Sequence, residues 1–298
     1  MIIQTRNVWK SFGRFDAVRD LSLSVPESST FALVGANGAG KTTTIKLLMN
    51  ILIPTQGNLR VLDVDSRKLS PREYEQIGYV SEHQEMPGRM SVRAYIDYLR
   101  PFYSLWDRTL EAEILAQLCL PLKRKIKDLS HGMRLKMALA CALPFRPRLL
   151  VLDEPFSGLD PLVRDEFMDG LLRHTREMTV LISSHELVEI EPVTTHLAFL
   201  DNGRVLFQEP MDDLKARLRR VRLTFDGRPQ PIKGLPQEWL DVRIEGNTVT
   251  FVETRFSDQQ LASRIAAVMG QPCQIDTEPI ALRSIFTTLA RAIRKQEN

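Results

Sequence analysis

Residues Gly35 to Thr42 read GANGAGKT, three glycines followed by lysine and threonine in the pattern GxxxxGK[ST]. An apolar run, Thr30 to Val34 (TFALV), precedes them. The stretch TTTIKLLMNIL follows, with apolar residues at helical spacing as far as Pro54. Between a buried strand and a helix this pattern has a definite chemistry. Gly35, Gly38 and Gly40 let the backbone bend so that successive N–H groups point inward, and the helix start adds partial positive charge. Lys41 can reach terminal phosphates, and the Thr42 hydroxyl can ligate Mg2+. Asn37, Ala39 and Thr43 complete the expected binding set, whose ligand is a nucleoside triphosphate.

Such a cradle needs a carboxylate at the end of a neighbouring strand, and Asp153, directly after LLVL (Leu149 to Leu152), stands where one is required. Glu154 follows it. Two adjacent acids at a nucleotide site suggest two tasks, Asp153 for Mg2+ and Glu154 to orient or deprotonate the attacking water. His185, just after TVLIS (Thr179 to Ser183), is positioned to donate a hydrogen bond to the γ-phosphate.

The elements that must hold these residues alternate. Strand candidates at 30–34, 149–152 and 179–183, the last two separated by the amphipathic stretch Pro161 to Met178, imply an α/β fold with a mainly parallel sheet. Ser91 to Phe145 has helical periodicity with breaks at Pro101, Pro121 and Ser130, and predicts a helical insert spanning about residues 83–146. Past Leu214 the pattern changes: RLTF alternates, DVRIEGNTVTFVE predicts a hairpin around Gly246-Asn247, and helical stretches follow Ser257 and Pro279. The expected organisation is a nucleotide-binding domain over 1–213 and a small α+β domain over 214–298. The run LKARLRRVR between them reads as a solvated helix face or, less often, as a surface for anionic lipid or acidic protein. In the last helical stretch Leu282, Ile285, Phe286 and Leu289 form an apolar face that packs on its own domain or on another subunit.

Composition limits the alternatives. The chain has 298 residues, 43% hydrophobic and 26% charged, enough to bury a core in about two domains. A net charge of +3 is too small for a chain-wide nucleic-acid footprint, although 14 basic against 9 acidic side chains from Leu214 onward make that end basic. Cys119, Cys141 and Cys273 are far apart and odd in number, which argues against a disulfide framework and for a reducing compartment. MIIQTRNVWK turns polar too early for a signal peptide, and the longest apolar stretch, Met137 to Phe145, is far below the roughly 20 residues that cross a bilayer. Any membrane role is expected to run through a partner.

Taken in order, GANGAGKT, LSHGM (Leu129 to Met133), LLVLDEP, SGLD (Ser157 to Asp160) and SSHE resemble the ATP-binding cassette (ABC) ATPases over roughly residues 1–213. Ser130 is placed as the N-cap of the helix GMRLKMALACAL, with Gly132 permitting close backbone approach, a second anion site. The resemblance implies that Ser130 and Gly132 meet the γ-phosphate of ATP on a second subunit. It also implies that Phe12, in KSFG, stacks on adenine, that Asp160 is where subunits sense each other, and that two cassettes close head to tail over two ATP molecules. Two positions depart from the family's pattern. Glu82 stands where a glutamine usually touches Mg2+, so Glu82 is expected as a metal ligand with Gln84 as the fallback. His131 and Met133 replace glycine and glutamine of the common LSGGQ.

An isolated cassette of this kind resembles the energy subunit of a transporter whose channel is a separate integral membrane permease. ATP and Mg2+ are its implied cofactors, a permease and a second ATPase subunit (homodimer or heterodimer) its implied partners. The cytoplasmic face of the membrane, reached through the permease, is its implied location. IALRSIF near the end resembles subunits serving bacterial exporters of drugs, antibiotics or lipid-linked compounds, which favours export. The alternative is a cassette ATPase acting on nucleic acid or ribosomes. One glycine loop, one signature segment and no coiled-coil or zinc insertion speak against it, and no nucleic-acid partner is expected.

Overall fold

The short apolar runs that bracket the candidate acids become strands buried on both faces, as a parallel sheet covered by helices requires. A computed structural model describes residues 1–82, 84–174, 178–227, 234–281, 284, 285 and 288. The chain divides into two units, Met1–Gln208 and Glu209–Asn298, so the division falls inside a strand and ahead of the 213/214 boundary that the change in sequence texture predicts.

In chain order the first unit contains β1 (Ile3–Phe12), β2 (Phe15–Val25), β3 (Thr30–Gly35), α1 (Lys41–Leu48), β4 (Gln56–Val61), β5 (Val64–Asp65), α2 (Pro71–Tyr74) and β6 (Ile77–Ser81). The helical insert follows with α3 (Val92–Leu99), α4 (Arg108–Gln117) and α5 (His131–Ala142). The chain then runs through β7 (Leu149–Asp153), α6 (Pro161–His174), β8 (Thr179–Ser184), α7 (Leu187–Ile190), β9 (His196–Asp201) and β10 (Arg204–Pro210). The central sheet has the order β10-β9-β3-β8-β7-β6, and its β9, β3, β8, β7 and β6 pair in parallel. That register puts the chemistry at one edge: the glycine loop follows β3, Asp153 ends β7, and His185 follows β8.

A second sheet, β2-β1-β4-β5, is antiparallel. Its Ile3, Leu21, Leu23, Leu59 and Val61 share one core with Phe31, Leu33, Ile45 and Leu48 from around the glycine loop. The helix after that loop ends at Leu48, short of Pro54. Asn50 adopts a left-handed φ of 54°, and the N–H groups of Ile51 and Leu52 turn back onto the Lys46 carbonyl at 2.9 and 3.0 Å, which closes the helix.

The second unit comprises α8 (Met211–Arg217), β11 (Arg219–Thr224), β12 (Trp239–Glu245), β13 (Thr248–Glu253), α9 (Asp258–Met269) and β14 (Gln274–Pro279). Its antiparallel sheet has the order β12-β13-β11-β14 and shares a core with Leu261, Ile265 and Met269 of α9. Gly246, at φ 62°, turns the expected hairpin. The basic run is not one helix face: it bends from α8 into β11 at Leu218. Arg217 pairs with Glu209, Arg220 with Glu278, and Arg219 lies over the Phe256 ring. Of the apolar face expected near the end, Ile285 is buried, whereas Leu282, Phe286 and Leu289 lie outside the described residues.

Candidate functional site

Between β3 and α1 the loop is shaped by neighbours as well as by its own glycines. Gly40 caps α1 with φ 103°, and a Cβ there would stand 2.6 Å from the Ala17 carbonyl oxygen. Only glycine meets both demands. Gly203 fastens the assembly: its N–H donates to the Ala39 carbonyl at 3.0 Å, and its carbonyl accepts from Arg19 N at 2.8 Å. The β1–β2 hairpin, with Phe12 at its tip, is thereby tied to the loop. Phe12 is 47% exposed and has Lys10 Nζ 5.0 Å from its ring centroid. Lys41 is buried, and Nζ donates to the Gly35 and Ala36 carbonyls at 2.7 and 3.1 Å.

The strand ends bring the acids to the same place. Lys41 Nζ lies 3.0 Å from Glu154 Oε1, and His185 Nδ1 is 2.8 Å from Glu154 Oε2. Burial alone pushes the Glu154 carboxyl up, but the bonds from His185 and Lys41 outweigh it and hold the group below the usual carboxylate range. Asp153 Oδ1 accepts from the hydroxyls of Ser183 at 2.7 Å and Thr42 at 3.1 Å. Burial wins at Asp153 and raises its carboxyl, a pull that these two hydrogen bonds only reduce. Ser183 was not among the residues singled out from sequence. Its Oγ also accepts from Glu154 N at 2.9 Å, so one hydroxyl positions both acids. A serine at the end of an otherwise apolar buried strand was the available signal.

Glu154 has a left-handed φ of 50°, an uncommon conformation for a residue other than glycine. The Ser183 contact and a turn in which Ser157 N donates to the Glu154 carbonyl at 3.3 Å hold it there.

Glu82 is drawn to this edge through its backbone, N–H to the Asp153 carbonyl at 3.2 Å. Among the described residues, the buried side-chain oxygen of Gln84 has no hydrogen-bond partner. The hard oxygens of Thr42 and Asp153 beside a phosphate cradle suit Mg2+, which takes one or two protein oxygens and completes its shell with phosphate and water. No cluster of three His, Cys, Asp or Glu side chains able to hold a metal occurs among the described residues.

The remaining expected residues stand apart from the cradle. Ser130 Oγ accepts from Met133 N at 3.3 Å and so caps α5. Asp160 Oδ1 accepts from Val163 N at 3.1 Å at the start of α6. Gly132 has a reason within its own chain: a Cβ there would meet Val163 Cγ1 at 2.6 Å and Leu159 Cδ2 at 3.5 Å. Its lack of a side chain therefore serves packing against α6. Among the described residues no hydrogen bond joins Ser130 or Asp160 to the loop 35–43.

A glycine-rich loop at a helix N-terminus, with a buried lysine and a strand-end acid pair on a parallel sheet, defines a P-loop nucleoside triphosphatase. The family model described as ABC transporter matches residues 18–157. The chain is 32% identical over 232 residues to the uncharacterized ABC transporter ATP-binding protein YhaQ of Bacillus subtilis (strain 168), covering 74% of each chain. It is 31% identical over 223 residues to the bacitracin transport ATP-binding protein BcrA of Bacillus licheniformis, covering 74% of this chain and 73% of that one. In fold it resembles a dimeric post-hydrolysis structure of the ATP-binding cassette MJ0796 bound to ADP and Pi, with a TM-score of 0.63 at 20% identity over 70% of this chain and 98% of that one. The chain belongs to the ATP-binding proteins of ABC transporters and is an ATPase of that family.

Proposed function

We propose that this ATPase energises export through a separate membrane permease, working as one half of a pair of cassettes. The observation that carries the reading is the continuous contact from Lys41 through Glu154 to His185, beside Asp153 and Thr42. Residues 1–213 form the cassette and 214–298 an accessory domain. Gly35, Asn37, Gly38, Ala39, Gly40, Lys41, Thr42 and Thr43 hold the phosphates, and Phe12 stacks on adenine. When bound through Thr42, Asp153 and Glu82, Mg2+ would supply charge neutralisation at the terminal phosphates.

Lys41 exchanges its loop carbonyls for phosphate oxygens. Glu154, kept ionised by its neighbours, takes a proton from the water whose oxygen attacks the terminal phosphorus, while the bond from that phosphorus to the β-phosphate oxygen breaks and ADP leaves. A carboxylate only accepts hydrogen bonds, so His185 Nδ1 carries the proton that Glu154 Oε2 receives. Donation to the γ-phosphate through Nε2 as well requires the imidazolium form.

Ser130 and Gly132 of one subunit, with Asp160, are assigned to the ATP held by the other. Their separation from their own loop supports this, because a single chain leaves them without that role. The permease is assigned to the face of the helical insert, where Tyr98, Phe102 and Leu105 are 55%, 59% and 71% exposed. No helix among the described residues is long and apolar enough to cross a membrane, which fits attachment to the inner face of the membrane through that partner. Export is favoured by the similarity to a bacitracin transport ATP-binding protein.

Co-expression with a candidate permease, a hydrophobic multi-span membrane protein, tests this reading. The two copurify, and Lys41→Ala weakens ATP binding at least about tenfold while leaving the complex intact. Failure to copurify, with salt-sensitive RNA or DNA binding instead, contradicts it.

A further inference from the structure

The first helical residue after the Ser130 cap is His131, one of the two positions at which the signature segment departs from the family's common form. Its Nε2 lies 3.2 Å from the carbonyl oxygen of Ser157. A carbonyl oxygen only accepts, so Nε2 carries the hydrogen and donates it. The same residue, Ser157, donates its N–H to the Glu154 carbonyl at 3.3 Å. His131 is therefore one residue's length of hydrogen bonding from the acid assigned to activate water.

Two neighbouring features stiffen the link. The close contact of Gly132 with Val163 and Leu159 presses the start of α5 against the segment that follows Ser157. That segment is held at its far end by the Asp160 cap on Val163 N. Between the two, Gly158 at φ 67° supplies the turn. On its open side His131 lines a cavity of about 430 Å³ together with Glu82, Gln84, Arg134, Ser157 and Gly158. The departures from the family pattern at Glu82 and His131 thus share one cavity.

We infer that His131 is a positioning residue that couples the two ATP sites of the cassette pair by tying the α5 N-terminus to the Glu154–Ser157 turn. The inference rests on the paired-cassette reading above. In that arrangement Ser130 senses ATP on the partner, and the adjacent His131 passes the resulting shift of α5 to Glu154 of its own subunit. Coupling of this kind is an energetic link between two sites and shows as cooperativity between them.

The test compares ATP turnover against ATP concentration for the full chain, His131→Ala and His131→Gln, with binding of a fluorescent ATP analogue measured in parallel. The parent shows a Hill coefficient between 1 and the two-site limit of about 2. His131→Ala brings it to about 1 and lowers kcat, while the analogue still binds. His131→Gln, whose amide can donate to the same carbonyl, restores most of both. An alanine variant with parental cooperativity and kcat overturns the inference, as does a glutamine variant that loses as much as alanine. A parent that turns over ATP with a Hill coefficient of 1 removes the coupling but leaves the ATPase standing. A parent without any ATP turnover removes both.

Discussion

At Asp153 and Glu154 two adjacent carboxylates are driven in opposite directions. Asp153 is deep and receives only neutral hydroxyls, so burial raises its carboxyl. Glu154 meets an ammonium and an imidazole, so it stays ionised. This separation matches a division of labour in which one acid serves the metal and the other the water. Ser183 underlies both, which leads to a prediction. Ser183→Ala removes a donor from Asp153 and an acceptor from Glu154 N. It should raise the Mg2+ concentration for half-maximal ATP turnover by about tenfold, the usual order for a residue that orients a metal ligand. A Mg2+ titration that superimposes on the parent's would rule out that support. The glycines, Lys41, Thr42 and the acid pair were legible in sequence because each follows a buried apolar run at a fixed spacing. Ser183 was not, since nothing local tells that a serine near the end of TVLISS meets the Asp153 carboxylate and the Glu154 backbone N–H beyond the next strand.

Among the elements, the helical insert is held by one buried carboxylate. Glu111 of α4 is 4% exposed and receives Arg93 at 2.8 Å, Arg100 at 2.9 Å and the Trp106 indole N–H at 2.8 Å. Burial pushes its carboxyl up, but these donors prevail and hold it below its usual value. Glu111→Ala leaves the Trp106 indole N–H without its acceptor and takes from Arg100 its buried partner, leaving it Asp97, so it should cost about 3 kcal/mol and lower the thermal midpoint by several degrees. The sign of the pH effect follows from the depressed value. Stability from Glu111 is fully present above its unfolded pKa of about 4.3 and is lost as pH falls through its lower folded value, so the parent's advantage over the variant should vanish only in acid. Equal midpoints at neutral pH would contradict this account of the insert. The insert itself was visible in its helical periodicity, as were β3, β7 and β8 in their apolar runs. The antiparallel sheet of β1, β2, β4 and β5 was not. Its alternation is broken by register shifts between Thr5 and Val8 and between Val8 and Lys10, and Asn7 takes a left-handed φ of 47°. Two-residue periodicity fades across such bulges, although this sheet supplies the hairpin that seats Gly40.

At the scale of the molecule, the proposed pairing assigns half of two different sites to each chain. Its cradle has Lys41 in contact with Glu154 and Thr42 with Asp153, whereas its capped signature helix has no hydrogen bond to that cradle among the described residues. On the proposed pairing, two chains facing each other would complete both sites, and cutting the terminal phosphate would separate them again. Within the second unit, Arg217 and Arg220 of the basic run pair with Glu209 and Glu278. The most direct measurement is the mass of Glu154→Gln in solution by light scattering, with and without ATP and Mg2+, alone and with the membrane subunit present. Slowed hydrolysis should leave ATP bound and the mass of the cassette doubled with nucleotide, returning to a single chain without it. A variant that binds ATP yet stays a single chain under all of these conditions would contradict the shared site.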